Sequence, residues 1–493
     1  MKHLYTTIAL ASLCIICISG CDLERKDYDQ IFPENFYKNE SDIKAAVTSA
    51  YHLFRINSYG GQVYSHGRGG VNIQSEMVTD EMDCSWGDGG LWERMHTHSW
   101  TAGNLFPLES LFGYYNKVSQ FRNIILEIEN STAVSDALKN RYIGEVKALR
   151  GWLMYLLFDF YGPVPIADDD ALKDPQNDIL PQILTEAEYA ALVEKEFKDA
   201  ISLLPIKASE WGRVDAGVAN MMLLKLYMHQ KKWSEAEAVC RELMSSKYGY
   251  TLLDNYYDCF SLKTEVNNEN IWSITCDNEN YVNGWITHTI PSDLPYANPN
   301  VERWNGYRMP WEYYHTFESG DKRLDNIVAE YISTANGELM NESNPGTSLL
   351  KGAIALKYTV DPNQKGDKSG IDVPVFRYSD VLLSLAECIA RKGSVTQECM
   401  DLINRVRTRV GLPDRLLADY TDKDKFFDML LMERGHELYL EGHRRTDLIR
   451  FGKFIEFARK VPNNQTADYK VLFPIPNSYI IEYKGALKQN EGY

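Results

Sequence analysis

The run Ala219-Asn-Met-Met-Leu223-Leu224-Lys-Leu226-Tyr227-Met-His229-Gln-Lys-Lys232-Trp233-Ser-Glu-Ala236-Glu-Ala-Val-Cys240-Arg-Glu-Leu243 decides the fold. Ala219, Leu223, Leu226 and Tyr227 step by three and four, the period of one helix face, and so do Trp233, Ala236, Cys240 and Leu243. The polar residues His229 to Lys232 between them predict a turn, so the segment is a helix pair. The same reading extends in both directions. Leu149, Trp152, Leu153, Leu156, Leu157 and Phe160 form a stripe stopped by Gly162-Pro163, and Val193, Phe197, Ala200, Ile201 and Leu204 one stopped by Pro205. Ser41–Arg55 and Leu111–Glu129 are also helical in pattern. A further pair is predicted at Val381–Arg391 and Thr396–Arg409, closed by Gly411 and Pro413.

The Leu223/Tyr227 pair followed by Ala236 resembles the tetratricopeptide helix-turn-helix, with Leu224 standing where that pattern has Gly. Stacked pairs bury a continuous core that no single pair could bury alone. The predicted class is therefore mainly α: tetratricopeptide-like stacked helix pairs in one scaffold, with loop-rich inserts and a few short strands. One insert lies near 59–101 and is rich in Gly, His and Trp. The other, 250–370, is rich in Asn, Asp, Gly, Pro, Trp and Tyr. Long loops inside a compact protein are usually functional or form a small subdomain. The expected organisation is a signal peptide at 1–20, a helical region at 21–249, the aromatic-rich insert at 250–370 and a second helical region at 371–493.

Lys+Arg 52 against Asp+Glu 69 gives a net charge of −17, which offers phosphates no counter-charge and disfavours nucleic acid as a partner. Aromatics make up 12% of the chain, including 31 Tyr whose hydroxyls need partners or water, so many are expected near the surface. Lys2, the apolar stretch Leu4 to Ile18, and Ser19-Gly20 before Cys21 read as a secretory signal. Ile18-Ser19-Gly20-Cys21 resembles the bacterial lipobox, which makes Cys21 the expected lipidation site and acyl chains the expected membrane anchor. Beyond Cys21 the remaining cysteines, Cys84, Cys240, Cys259, Cys276, Cys388 and Cys399, form no CxxC pair. Several sit in apolar helical patterns and are expected to be buried thiols.

The C-terminal part reads Val375-Phe376-Arg377-Tyr378-Ser379-Asp380-Val381-Leu382-Leu383, Ala386-Glu387 and Ile403-Asn404-Arg405-Val406-Arg407. It continues Glu433-Arg434, Glu437-Leu438, Glu441-Gly442, Arg444, Asp447-Leu448, Arg450, Pro474-Ile475-Pro476 and Gln489-Asn490-Glu491-Gly492-Tyr493. With Ala148-Leu149-Arg150, Tyr161-Gly162-Pro163-Val164-Pro165 and the lipobox, this series resembles the SusD/RagB family of outer-membrane nutrient-binding lipoproteins. Glu491 stands where the family usually has Pro. The resemblance implies a surface-exposed, lipid-anchored outer-membrane protein that captures oligosaccharides and hands them to a SusC-like TonB-dependent transporter. It implies neither catalysis nor a cofactor. The alternative is a tetratricopeptide-like lipoprotein that binds a protein or peptide.

Sugar rings present an apolar face and a rim of hydroxyls, so a flat exposed ring stacks on the face while Asn, Asp or Arg reaches the rim. The ligand-binding candidates on that logic are Trp86, Trp92, Trp285, Tyr296, Trp304, Tyr307, Asn305 and Arg308, with Trp311, Asn283, Asn298 and Asn300 nearby in the sequence. The competing role for such rings is to pin loops that lack an aliphatic core. Trp100 and Trp272 are assigned to structure. Arg303 and Arg308 could meet a uronate or sulfate, but hydroxyl hydrogen bonding or a local ion pair is preferred.

Glu433, Glu437 and Glu441 repeat every four residues and are expected on one helix face, among Arg434, Arg444, Arg445, Asp447 and Arg450. Two carboxylates could be the acid and nucleophile of a hydrolase, but paired carboxylates make poor general acids. A structural ion-pair network is expected instead. His96 with His98, and His436 with Glu437, lack metalloprotease spacing. Asp80, Glu81, Asp83 and Asp88 lack a regular calcium-loop pattern. No metal is assigned.

Overall fold

A computed structural model describes residues 37–173 and 181–493. Cys21 and the signal segment lie outside the described residues. The helices fall where the apolar period placed them. Asp136–Tyr161 starts at Ser135, whose side chain accepts from the Leu138 N–H, and Glu186–Leu203 starts with a Thr185/Glu188 capping box. These two pack side by side, and Tyr115–Asn130 covers the other flank of the longer one. Ala216–His229 and Trp233–Leu243 form the predicted pair, with Lys231 in the left-handed region at φ +57° in the turn. Trp233–Leu243 then packs on Tyr378–Lys392, which carries Gln397–Arg409 and Lys423–Leu438 behind it. The helix pairs of the two halves thus share one core. Trp100 and Trp272 belong to it, their indole N–H groups donating to the Tyr493 hydroxyl and the Gly212 carbonyl. All six described cysteines are free thiols, and all except the half-buried Cys276 are buried.

The second insert is closed at its base. Asn270–Ile274 pairs antiparallel with Val373–Arg377, so the chain leaves and re-enters the helical scaffold through one two-stranded ribbon. The two inserts are joined by a second ribbon, Asp83–Cys84 against Tyr307–Arg308. The first insert is less irregular than its sequence suggests, because it holds the short helices Val71–Met77 and Leu91–His96. In the first of these the buried face includes Gln74, Ser75 and Glu76, so tertiary burial rather than an apolar stripe supports it.

The carboxylate row forms an ion-pair network. Glu433 meets Arg323 at 2.9 Å and Arg407 at 2.7 Å; Glu437 meets Arg377 at 2.8 Å and Arg409; Glu441 meets Arg377 at 2.7 Å and Lys357 at 2.8 Å. Arg434 bridges Asp380 and Asp447, and Arg450 holds Glu387. Two details differ from the sequence reading. None of the three glutamates pairs with Arg434, Arg444, Arg445 or Arg450 of its own segment, whose partners are Asp380, Asp447, Asp80, Glu81, Asp159 and Glu387, and Glu441 is off the helix. Glu433 and Glu437 lie on the helix, but the helix ends at Leu438 and Glu441 comes back to the cluster through a turn in which Leu440 has φ +58°. Burial raises the Glu437 carboxyl, but Arg409, Arg377 and Arg323 outweigh it and hold it down to about 2.

Candidate functional site

The ribbon between the inserts places their rings in one continuous stack. Tyr59 is the outermost ring, 70% exposed. Its loop is set by Asn57, whose side-chain oxygen accepts from the Tyr59 and Gly60 N–H groups at 2.9 and 2.7 Å. Tyr59 lies 5.5 Å from half-buried Trp304, which lies 4.6 Å edge-on from His288 and 6.4 Å from half-buried Trp86. Below these rings Tyr307 stacks at 8° on His288 and at 25° on Trp285, with Trp92 edge-on at 5.5 Å. His66 and Tyr358 continue the stack inward.

Hydrogen bonds lock this arrangement. Trp86 Nε1 donates to the Trp304 carbonyl at 2.6 Å, and Trp304 Nε1 to Glu302 at 3.2 Å. Trp92 Nε1 donates to Asp88, Trp285 Nε1 to the Ala355 carbonyl, and the Tyr307 hydroxyl to the His66 carbonyl. Gly306 is required beside Trp86, because a Cβ there would overlap the indole. Burial pushes His288 down to about 4, so at neutral pH it is an uncharged ring in the stack. At the rim, Glu302 and Asp367 lie close enough to the Tyr59 hydroxyl to act on it electrostatically; burial and these two carboxylates together push it up. The surface therefore offers a bent aromatic lip of Tyr59, Trp304 and Trp86 bordered by two carboxylates. Such a lip can stack on an apolar face while accepting hydrogen bonds from hydroxyls around it.

The predicted site residues divide between this lip and its foundation. Trp86 and Trp304 lie at the surface. Trp92, Trp285, Tyr307 and Arg308, expected to contact ligand, are buried and present no face to one. The three rings pack on one another and on His288 in the interior, beside aliphatic side chains such as Ile286, Ile290 and Ile354. Arg308 donates to the Ser348, Thr289 and Tyr307 carbonyls and to Asn305 Oδ1. No carboxylate forms a salt bridge with it among the described residues, and burial pushes its guanidinium down to about 10 against the pull of Asp293. Arg303 also serves carbonyls, those of Pro291, Ser292 and Leu294, so of the two roles expected of these arginines, hydroxyl hydrogen bonding or a local ion pair, the ion pair is not formed among the described residues. Asn305 sits in the left-handed region at φ +55°, its oxygen committed to Arg308. Tyr296 stands apart from the stack, half-buried beside Asp361 and Arg303. Asn283 and Asn298 are buried turn residues that bond to the Ile371, Asp361 and Gln364 carbonyls, and Trp311 donates to the Leu349 carbonyl. Tyr59 was not among the sequence candidates. The available signal was local: Asn57 two positions before it and Gly60-Gly61 after it mark a tight turn that displays a ring.

Among the described residues no group of His, Cys, Asp and Glu is arranged to hold a metal ion. In the acidic run, Arg444 takes Asp80 and Glu81, Lys351 takes Asp83, and Trp92 takes Asp88. His98 is buried between the Val78 carbonyl and the Thr466 hydroxyl, and burial pushes it down to about 3. His436 stacks on Phe317 at 4.1 Å.

Residues 268–493 match the SusD family model. SusD-like protein P25 of Formosa agariphila is 24% identical over 537 residues, spanning 97% of this chain and 96% of that protein. Starch-binding protein SusD of Bacteroides thetaiotaomicron is 22% identical, spanning 85% of this chain and 84% of its own. The fold is shared with surface glycan-binding protein A from Bacteroides thetaiotaomicron in complex with laminarihexaose, at a TM-score of 0.75 and 22% identity over 92% of this chain and 99% of that one. Residues 268–493 thus belong to the SusD family, and the whole chain is similar to SusD-like proteins.

Proposed function

We propose that this chain is a cell-surface glycan-binding lipoprotein that captures an oligosaccharide on the Tyr59–Trp304–Trp86 lip and passes it to a SusC-like TonB-dependent transporter. The observation that carries the reading is the lip itself: two half-buried indoles and an exposed phenol, held rigid by buried rings below, with Glu302 and Asp367 at the rim. Rigid rings bind with little entropy loss, and carboxylates accept from sugar hydroxyls. A relative that is named for binding starch and a fold neighbour in complex with laminarihexaose support the same ligand class. Capture proceeds without bond cleavage: the Glu433, Glu437 and Glu441 carboxylates are sealed in ion pairs and reach no substrate. Among the described residues no helix is long and apolar enough to cross a membrane, and anchoring is assigned to acyl chains on Cys21. The test is a calorimetric titration of the mature chain against a glycan panel, repeated with Tyr59→Ala and Trp304→Ala. Binding that survives both substitutions unchanged would sink the assignment of the lip.

A further inference from the structure

A groove of about 860 Å³ runs between the helices Glu40–His52 and Tyr115–Asn130, and its wall includes Gly61 and Gln62 of the loop that displays Tyr59. Its charge is opposite to that of the chain. Lys44, Arg55 and Lys117 line it together with His52, and among the described residues that line it there is no carboxylate. In a chain with a net charge of −17 carboxylates outnumber cations. Here none of the three makes a salt bridge with a described residue: Lys117 donates to Gln120, and Arg55 to the Thr275 carbonyl and hydroxyl. Asp277 lies within electrostatic reach of Arg55, but its carboxylate accepts from the Glu279, Asn280 and Tyr281 N–H groups.

The groove also has an aromatic floor. The Arg55 guanidinium sits 4.2 Å from the Tyr281 ring centroid, and His52 meets the same ring edge-on at 6.1 Å, so Tyr281 is held as a fixed platform. Between groove and lip the loop crosses at Gly60 and Gly61. Both have positive φ, and a Cβ at either would meet nothing within 4 Å, so this saddle is low and open.

We infer that the groove is a second subsite for the ligand held by the lip, and that it takes an acidic stretch of the glycan, one bearing carboxylate or sulfate groups. The inference rests on the reading of the lip as a glycan site. The lip supplies stacking and carboxylate acceptors, which suit neutral hydroxyls. The groove supplies a stacking platform with unpaired ammonium and guanidinium groups, which suit anions and are screened by salt. A chain crossing the glycine saddle would engage both.

The test is affinity electrophoresis and calorimetry of the mature chain with alginate, polygalacturonate and fucoidan, each beside its carboxyl-reduced or desulfated counterpart, with laminarin and starch as neutral probes and polyglutamate as an acidic non-sugar. At least one acidic glycan should bind at least tenfold more tightly than its neutralised counterpart, with a preference that fades as salt rises. Lys44→Glu/Lys117→Glu, which changes only surface side chains, should abolish that preference and leave the neutralised chain bound as before, while Trp304→Ala should weaken both. The carboxyl-reduced and desulfated arms tell carboxylate from sulfate. Neutral glycans bound through the lip with no acidic preference, or a preference untouched by the charge reversal, would overturn the groove and leave the lip standing. Polyglutamate bound as tightly as the acidic glycans would overturn the assignment to sugar. Groove-dependent binding unaffected by Trp304→Ala would overturn the continuity of the two sites. No binding to any glycan would overturn both readings together.

Discussion

Trp86 donates its indole N–H to the backbone carbonyl of Trp304 at 2.6 Å, across 218 residues of sequence. This single bond ties the surface ring of the first insert to that of the second and fixes the angle of the lip. The neighbouring ribbon, in which Asp83 pairs with Arg308 and Cys84 with Tyr307, sets the register that makes the bond possible.

The lip should dominate ligand affinity. Removing one exposed aromatic face forfeits about 1 kcal/mol of stacking plus the contact area of the ring. Tyr59→Ala and Trp304→Ala should each weaken binding by roughly tenfold. Calorimetry should show the loss, while thermal unfolding of the Tyr59 variant should barely change because that ring is exposed.

Gly306→Ala should act on the lip from below. A Cβ there would overlap the Trp86 ring, so the indole must move and its bond to Trp304 must break. Overpacking of this kind costs about 1–3 kcal/mol. A lowered unfolding temperature together with weaker glycan binding is the expected pair of results.

Arg377 is the hub of the buried ion-pair cluster, meeting Glu269 at 3.0 Å, Glu437 at 2.8 Å and Glu441 at 2.7 Å. Arg377→Met would leave those carboxylates with fewer partners in a dry interior. Breaking a buried pair from one side costs about 3–5 kcal/mol. Chemical denaturation should report a loss of that order.

Stability should respond to pH with two opposite signs. Arginines hold Glu437 down to about 2, so its contribution is present above the ordinary carboxylate pKa near 4.5 and is lost as pH falls from there toward 2. Glu81 behaves in reverse. Burial pushes it up to about 7 against the pull of Arg444, and its partner Glu76 is raised as well, by burial and by the charge of Glu81. The folded state therefore binds more protons here than the unfolded one, and stability falls as pH rises from about 4.5 toward 7. Glu76→Gln keeps the acceptor for the Gly442 and His443 N–H groups while removing that proton. Unfolding temperatures measured across this range should decline less steeply in the variant than in the native chain.

Cys21→Ala should release the protein from the membrane fraction, because a lipobox without its cysteine leaves no thiol to acylate. Fractionation of cells after labelling with a radioactive fatty acid reads both anchoring and lipid. Label retained on the variant would refute Cys21 as the site.

Much of the scaffold was legible because helix periodicity is local. Leu223, Leu226 and Tyr227 declare a buried face whatever lies opposite, and the stops at Gly162-Pro163 and Pro205 need no partner. That Glu433, Glu437 and Glu441 are paired was legible, but their partners Arg323, Lys357, Arg377, Arg407 and Arg409 come from other segments, and within the predicted segment only Asp447 pairs, with Arg434 and Arg450. Glu441 reached the cluster through a turn rather than along the helix, a difference set by one left-handed residue, Leu440.

The division of the aromatic residues was not legible. Trp92 and Trp86 stand six positions apart in one polar loop, yet one is sealed and the other faces outward. Nothing in the composition of that loop separates them, because exposure depends on what the other insert lays against each ring. By itself the sequence determined the helices and the turns that pair them, which follow from interactions between near neighbours, whereas the partners in the charge-paired core come from distant segments. The lip, the inclusion of Tyr59 and the unpaired cations beside it were decided only in the tertiary structure, because each is a contact, or a missing contact, between segments that the chain keeps far apart.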